Sequence, residues 1–404
     1  MRIKMETKVK LIIVCRRSIY AALILGGCAL FALSQNDQRQ AAFSLEQQGK
    51  VTEAETAWRA LSTAHPSNPE PYAHLGLLEA HQEHYTEAIA FYRKAMALNP
   101  AMPRLRYNLG LAYFKAGEYK DAILQLGPLL KTQPPASSEE TQRVSLLVGM
   151  SHYGLGEFAA ATPYLKRAAE SDAQNLTLLL TLAHSCLLSK QYQCVLDEFH
   201  RIVALSPDSA EAHMLAGEAL DEMNDAQGAI REFRIAVQAN PKEPNVHFGL
   251  GYLLLSEGQF QDAVPEFQAE LLNIPGHAQA TLYLADAEVH MNQFDAARPL
   301  LEQVVKSNPA SSVVHLDLGI VYSEAGQKED ALRELKQAET LNSTDATAHW
   351  RLAQLYRSIG KTSEANAELA ISKTLHQADY ESIVKKISGG QHVGSAPPTA
   401  PANK

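Results

Sequence analysis

The chain has 404 residues, 46% of them hydrophobic, and a formal net charge of −9 from 36 basic and 45 acidic residues. This balance argues against a nucleic-acid partner, because nucleic acid is held by clustered lysine and arginine. It also disfavours binding to anionic lipid surfaces, since no basic amphipathic helix reverses it. We therefore expect the acidic charge to serve solubility. The more specific alternative is that it binds a basic partner.

The first 34 residues have the composition of an export leader. Six basic residues precede an uncharged apolar run at residues 19–33, which is shorter than the ~20 residues of a spanning helix and suits a secretory signal peptide. Ala32-Leu33-Ser34 has the small-x-small form of a signal-peptidase site. Leu25-Gly26-Gly27-Cys28 instead resembles a bacterial lipobox, which would make Cys28 a lipidated N-terminus. A cleaved signal peptide, a lipoprotein and an uncleaved anchor stay open, and all three predict a periplasmic, secreted or membrane-anchored protein.

A unit of 34 residues recurs through most of the remaining chain. The period is set by two series of prolines: Pro66, Pro100 and Pro134, then Pro207, Pro241, Pro275 and Pro309. The gap between the series indicates one short insertion, which we assign to a loop at residues 134–141. Each unit holds two apolar stripes at helical spacing with a polar break between them, which predicts two helices. The predicted units are 35–68, 69–102, 103–141, 142–175, 176–209, 210–243, 244–277, 278–311, 312–345 and 346–378.

Three positions of the unit predict a close crossing of its two helices. The eighth residue is small: Ala42, Gly76, Gly110, Gly149, Ala183, Gly217, Gly251, Ala285, Gly319 and Ala353. The twentieth is small as well, apart from a valine: Ala54, Ala88, Ala122, Ala161, Val195, Ala229, Ala263, Ala297, Ala331 and Ala365. The twenty-fourth is large and apolar: Trp58, Tyr92, Leu126, Leu165, Phe199, Phe233, Phe267, Leu301, Leu335 and Leu369.

This combination of period, small residues, large residue and closing proline resembles the tetratricopeptide repeat. The resemblance implies an all-α, right-handed α-solenoid of about ten helix-turn-helix repeats over residues 35–378. An apolar stripe at Tyr380, Ile383, Val384 and Ile387 predicts a C-terminal capping helix at 379–388, since an array needs its last apolar face covered. Residues 389–404 are too poor in apolar residues to pack, so we expect a disordered tail.

Chemistry-bearing motifs are scarce, and we expect no cofactor, no metal and no catalytic site. His213, His247, His315 and His349 share the fourth position of their repeats, one repeat apart at closest, which is too far to share a metal. We expect them to pack between adjacent repeats. The leader and the repeats leave a tail of about 26 residues, and no catalytic domain fits into that length.

Two cysteines, Cys186 and Cys194, lie late in the first helix and early in the second helix of one predicted repeat. In an oxidising compartment such a pair bridges if its Cα atoms lie within about 7 Å of each other. The alternative is that both are small buried apolar residues.

In the family that this chain resembles, the first helix of each repeat lines a concave face, where its second, fifth, ninth, twelfth and thirteenth residues contact a partner peptide. Transferred to this sequence, those positions predict a groove with an aromatic and aliphatic floor, then four carboxylates, then a second aromatic pair. The groove residues are Tyr107, Leu111, Phe114, Met150, Tyr153, His184, Glu211, Glu218, Asp221, Glu222, Phe248 and Tyr252. The alternative is that many of these side chains belong to the core, although the carboxylates are too costly to bury unpaired.

The sequence therefore predicts an exported, non-enzymatic scaffold that binds a protein segment, with a basic stretch of that segment facing the sixth repeat. The membrane is expected to matter only through the N-terminal residues. A lipid-anchored envelope assembly factor, held by Cys28, is the alternative. An enzyme of envelope polymers with a site on the concave face is a remote one.

Overall fold

The structure is a computed structural model that describes residues 35–131 and 138–387. Over these ranges the chain is all-α, with twenty α-helices, a 3-10 segment at Gly127–Lys131 and no strand. The helices are α1 Gln35–Gln47, α2 Val51–Ala64, α3 Pro69–His81, α4 Tyr85–Leu98, α5 Leu105–Lys115, α6 Tyr119–Leu126, α7 Ser138–Gly154, α8 Phe158–Ser171, α9 Leu176–Leu188, α10 Tyr192–Leu205, α11 Ala210–Glu222, α12 Ala226–Ala239, α13 Val246–Ser256, α14 Phe260–Asn273, α15 Ala278–His290, α16 Phe294–Ser307, α17 Ser312–Glu324, α18 Lys328–Leu341, α19 Ala346–Ser358 and α20 Thr362–Ile387.

The helices fall two to each predicted repeat, so odd numbers are first helices and even numbers are second helices. The described residues divide into two compact units, one up to Lys190 and one from Gln191 onward, with the boundary in the turn of the fifth repeat. Within each unit, consecutive helices pack against each other, and a first helix also contacts the first helix of the next repeat. Each unit is therefore a solenoid of stacked hairpins, in which neighbouring repeats bury one another's apolar faces.

The predicted close crossing occurs inside the hairpins. A Cβ atom added to any of the six glycines at the eighth position would lie 2.5–2.9 Å from the large residue at the twenty-fourth, closer than real Cβ contacts. The alanines and the valine at the twentieth position are almost completely buried, and Trp58, Leu126 and Phe267 have no exposed surface. The small positions thus make room for a large side chain that fills the space between the two helices.

The insertion after the third repeat differs from its prediction. The loop predicted at residues 134–141 is wrong from Ser138 onward, because α7 begins there and is 17 residues long. Glu139 and Glu140 lie in its first turn, where carboxylates stabilise a helix by interacting with its dipole. The α-helical part of α6 ends early, at Leu126, and Gly127–Lys131 continues as a 3-10 segment.

At the C-terminus, α20 runs without interruption from Thr362 to Ile387. The capping helix predicted at residues 379–388 is therefore continuous with the second helix of the last repeat rather than a separate element. Its covering of the last apolar face stays a prediction, and Tyr380 is 65% exposed. The predicted disordered tail and the leader lie outside the described residues.

Four hairpins share a buried histidine–glutamate bond. The histidine at the fourth position lies with Nδ1 2.6–2.7 Å from a carboxylate oxygen nineteen residues later, in the pairs His213–Glu232, His247–Glu266, His315–Glu334 and His349–Glu368. In three of them Nε2 lies 3.0–3.2 Å from a backbone carbonyl oxygen at the end of the preceding repeat. These histidines were predicted to pack between adjacent repeats. Their main partner is instead the glutamate on the second helix of the same repeat.

In the tenth repeat this arrangement raises the pKa of the His349 imidazole. Burial alone lowers the pKa of this imidazole, but the Glu368 carboxylate on one ring nitrogen and the Ser343 carbonyl on the other raise it above its ordinary value. With acceptors at both nitrogens, only the doubly protonated ring donates to both. The protonated histidine therefore stabilises the tenth hairpin.

The close crossing predicts the effect of one methyl group. We expect Gly110→Ala to lower the free energy of unfolding by about 1–3 kcal/mol relative to Gly127→Ala in the same repeat, because the new Cβ would lie 2.5 Å from Leu126 Cγ. A Cβ added to Gly127 would have no other atom within 4 Å, so this second variant controls for the change in helix propensity. Urea unfolding measures both variants, and equal stabilities would contradict the close crossing.

The raised pKa of His349 predicts a pH dependence with a definite sign. Its contribution to stability is fully present below the unfolded-state pKa of about 6.5 and is lost as the pH rises through the higher folded-state value. We expect the loss of thermal stability between about pH 6 and pH 8 to be smaller in His349→Gln than in the native protein. Parallel curves for the two proteins would show that this proton does not contribute.

Candidate functional site

The twelve predicted groove residues all lie on first helices, and none is fully buried. Eight are half-buried: Tyr107, Leu111, Phe114, Met150, Tyr153, His184, Asp221 and Phe248. Four are exposed: Glu211, Glu218, Glu222 and Tyr252. Glu211 to Glu222 and the aromatic pair belong to the second unit and the other six to the first, so each unit is described by itself.

In the first unit the structure brings two of the predicted residues into contact. The Tyr153 hydroxyl and His184 Nδ1 are 2.6 Å apart, which links the first helices α7 and α9. Tyr107 lines a pocket of about 360 Å³ together with Asn108 and four charged residues, which are Arg104, Glu139, Glu140 and Arg143. The surface around this pocket therefore carries charges of both signs.

In the second unit, lysine and arginine are absent from four successive first helices. We call the successive helices α11, α13, α15 and α17 the acidic layer, because they contain no lysine and no arginine. Their acidic residues are Glu211, Glu218, Asp221, Glu222, Asp286, Glu288, Asp317 and Glu324. Apart from Lys242 in a loop, the lysines and arginines of the same repeats lie on second helices. The next first helix, α19, carries Arg351 and Arg357. Lysine and arginine are thus absent from the first helices of these repeats, whereas acidic residues occur on first and second helices alike.

The surrounding protein partly desolvates several carboxylates of the acidic layer. Desolvation by the surrounding protein raises the pKa of Glu218 above its ordinary value. The pKa of Asp221 is raised by desolvation and by the charges of Glu222 and Glu257. The pKa of Asp286 is also raised by desolvation, although His290, 3.5 Å away, lowers it. A positive charge brought to this surface would favour the ionised carboxylates and so lower their pKa values.

Asp317 is the most strongly perturbed of these groups. It is 5% exposed, and its Oδ2 atom has no hydrogen-bond partner among the described residues. Burial raises its pKa well above the ordinary value, and the charges of Asp286 and Asp345 add to this while Arg351 opposes it. An incompletely paired carboxylate in a packed interior costs stability, so its presence calls for a reason.

Next to these carboxylates lie three aromatic rings of α13 and α15. The ring centroids of Tyr252 and Tyr283 are 5.5 Å apart, and Phe248 lies 6.0 Å from Tyr283. Tyr252 is 41% exposed, and Asp286 follows Tyr283 by one helical turn. Phe248 and Tyr252 were predicted from their positions in the repeat, whereas Tyr283, Asp286 and Asp317 were not.

The signal for Asp286 was present in the sequence, because it occupies the ninth position of the eighth repeat and the predicted groove ended at the seventh. Tyr283 and Asp317 occupy the sixth position of their repeats, which the contact positions of the family do not include. Only the contact between α15 and α17 shows that they belong to the same surface.

The remaining predicted sites are the three cysteines. Cys28 lies outside the described residues. Cys186 is buried on α9, and Cys194 is half-buried on α10, which belongs to the other unit. Their bridge stays a prediction.

One group in the described ranges has atoms placed closely enough to hold a metal ion, namely Glu339, His349 and Glu368, with ligand atoms within 4.8 Å of one another. The His349–Glu368 bond recurs in three other repeats that lack the third carboxylate. The histidine–glutamate geometry therefore has a structural explanation that needs no metal. Among residues 35–131 and 138–387, we also find no helix with the length and apolarity required to cross a bilayer.

Family comparisons agree with the hairpin architecture. Two family models described as tetratricopeptide repeat match the chain, one at residues 40–103, 196–244, 215–278 and 316–373, the other at 79–139, 254–316 and 290–339. Together they cover more than half of the chain. The protein belongs to the tetratricopeptide-repeat family.

Individual relatives are distant. The anaphase-promoting complex subunit CDC16 of Saccharomyces cerevisiae is 24% identical over 43% of this chain and 21% of its own length. The peptidyl-prolyl cis-trans isomerase FKBP4 of Mus musculus is 30% identical over 26% of this chain and 25% of its own length. The chain thus spans about a quarter or less of either relative. A solved structure of MamA from Desulfovibrio magneticus RS-1 is 21% identical, covers 42% of this chain and 96% of its own, and has a TM-score of 0.39.

Proposed function

We propose that this protein is a non-enzymatic scaffold that binds an extended segment of a partner protein along its first helices. A basic stretch of the segment faces the sixth repeat, where Glu211, Glu218, Asp221 and Glu222 lie. The observation that carries the proposal is the acidic layer, because four successive first helices without lysine or arginine leave their carboxylates with few cations of their own. A cationic segment supplies the missing charge.

Electrostatic complementarity of this kind governs partner choice and association rate more than affinity. The affinity has to come from apolar anchors, and half-buried aromatic residues are suited to that role because they are rigid and gain much burial on contact. Half-buried Phe248 and the more exposed Tyr252 would serve as anchors in the second unit, and half-buried Tyr107 and Phe114 in the first. The partner segment would alternate apolar anchors with basic residues.

The family supports a role in protein interactions, since stacked repeats present extended surfaces for partners. CDC16, by its name, is a subunit of a larger complex. FKBP4 is named as an isomerase, but its match covers only a quarter of either chain, so we do not extend that activity to this protein.

We further propose that the scaffold works outside the cytoplasm, in the periplasm or beyond it. The support is the basic and then apolar composition of residues 1–34. The alternative is an envelope assembly factor anchored by a lipid on Cys28.

The mass of the N-terminus of the native protein separates these two. We expect a chain that begins at Gln35, as cleavage after Ser34 requires. A diacylglyceryl cysteine at position 28 would establish the anchored form, and an intact residue 1 would contradict cleavage altogether.

The partner surface is tested by site-specific photo-crosslinking in the native host. We expect a crosslinker placed at Tyr252 on the acidic layer to capture a defined partner, and one placed at Leu272 on α14, which is 84% exposed, to capture little. Glu211→Lys combined with Glu218→Lys should lower the Tyr252 crosslink at least about tenfold, since it reverses two charges on the surface that the basic stretch faces. Thermal unfolding should stay nearly unchanged because both residues are exposed.

The matched control is Asp262→Lys with Glu329→Lys, which makes the same change in net charge at exposed positions of second helices. This control should leave the crosslink intact. Equal losses in the two double variants, or no loss in either, would reject the acidic layer as the binding surface.

A further inference from the structure

Aromatic rings and carboxylates lie on neighbouring helices of the acidic layer, where the charge of Asp286 acts on both Tyr283 and Asp317. Tyr252 and Tyr283 face each other edge to face, with centroids 5.5 Å apart and ring planes at 61°. Asp286 lies one turn beyond Tyr283 on α15, and Asp317 lies on α17, which packs against α15. The basic groups beside these carboxylates are His290, whose Nε2 lies 3.5 Å from Asp286 Oδ1, and Arg351, whose charge acts on Asp317.

His290 and Arg351 compensate the negative charges of Asp286 and Asp317 only in part. Asp317 is 5% exposed and its Oδ2 has no hydrogen-bond partner among the described residues. Among those residues, cations stack on Tyr72, Tyr322 and Tyr356, but none stacks on Tyr252 or Tyr283. These helices therefore offer the rings of Tyr252 and Tyr283, of which Tyr252 is exposed, and the buried acceptor oxygen of Asp317. No cation from the described part of this chain stacks on the two rings.

We propose that Tyr252, Tyr283, Asp286 and Asp317 form a subsite that binds the guanidinium group of an arginine side chain in the partner segment. We call these four residues the arginine subsite. The inference rests on the proposed function, and it adds the chemical identity of one anchor of the partner.

Arginine fits the subsite better than other cations do. A guanidinium is planar, stacks on aromatic rings and donates two parallel hydrogen bonds to a carboxylate. It is also more weakly hydrated than an ammonium, which suits a half-buried position. A calcium ion needs six to eight oxygen ligands, and two carboxylates flanked by tyrosines supply too few.

The subsite also gives a reason for the buried Asp317. A carboxylate that is costly in the free protein becomes favourable once a fixed cation lies beside it. Removing the charge of Asp317 should therefore stabilise the free protein and weaken binding. If the carboxylate instead had a structural role, its removal would destabilise the protein.

The experiment uses N-acetyl-arginine amide as the probe, with the uncharged N-acetyl-citrulline amide and N-acetyl-lysine amide as comparisons, at constant ionic strength. Binding is followed by NMR of the protein carrying ring-labelled tyrosines, with the signals of Tyr252 and Tyr283 assigned through their phenylalanine variants. We expect saturable shifts of both signals with the arginine probe. Lysine amide should bind at least about threefold more weakly, and citrulline amide should not saturate.

Asp286→Asn and Asp317→Asn should each weaken arginine binding at least about fivefold, while Asp330→Asn, an acid on second helix α18, should leave it unchanged. Asp317→Asn should also raise the melting temperature at about pH 7. Citrulline or lysine binding as tightly as arginine, or equal affinities in the Asp286→Asn and Asp330→Asn variants, would overturn the subsite.

The test separates this inference from the proposed function. The Glu211→Lys, Glu218→Lys protein should retain arginine-amide binding within about threefold even where it loses its partner. Arginine-amide binding without any partner crosslink would refute the scaffold and keep the subsite. A partner crosslink that survives Asp286→Asn, with no arginine-amide binding in the native protein, would refute the subsite and keep the scaffold.

Discussion

The structure depends on the contact between the eighth and the twenty-fourth residues, which recurs in the six repeats whose eighth residue is glycine. Where the eighth is glycine, a single added carbon would come within 2.5–2.9 Å of the large side chain opposite. This contact holds the two helices of a hairpin at one spacing, and the stacking of hairpins buries their remaining apolar surface. Because the fold is secured at these positions, the outward faces of the helices are free to vary in charge and shape.

That freedom explains how the acidic layer persists. The first helices of repeats six to nine carry eight acidic residues and no lysine or arginine, while the second helices of the same repeats carry most of the basic residues. Repulsion and desolvation make some of these carboxylates costly, as the raised pKa of Asp317 shows. A scaffold with a large margin of repeat-to-repeat packing tolerates such a cost at a binding surface, and binding of a cationic segment would recover it.

The hairpins were predictable because their signals are local and periodic. Gly76 and Tyr92, for instance, are sixteen residues apart in the sequence and in contact in the structure. The start of α7 at Ser138 was not predictable from the period, since the insertion breaks it. The glutamate partners of the four histidines and the position of Asp317 beside Asp286 depend on how two helices pack, which spacing alone does not determine. The cysteine bridge and the groove contacts remain predictions.

The central claim is that each repeat depends on its neighbours and that the described residues do not share one common core. Native-state hydrogen exchange of Gly110→Ala measures this directly. The account predicts that amide exchange accelerates in repeats two to four, around the altered contact, and stays unchanged in repeats nine and ten. Equal acceleration throughout the chain would mean that the protein unfolds as one cooperative body, and the repeat-by-repeat account would be contradicted.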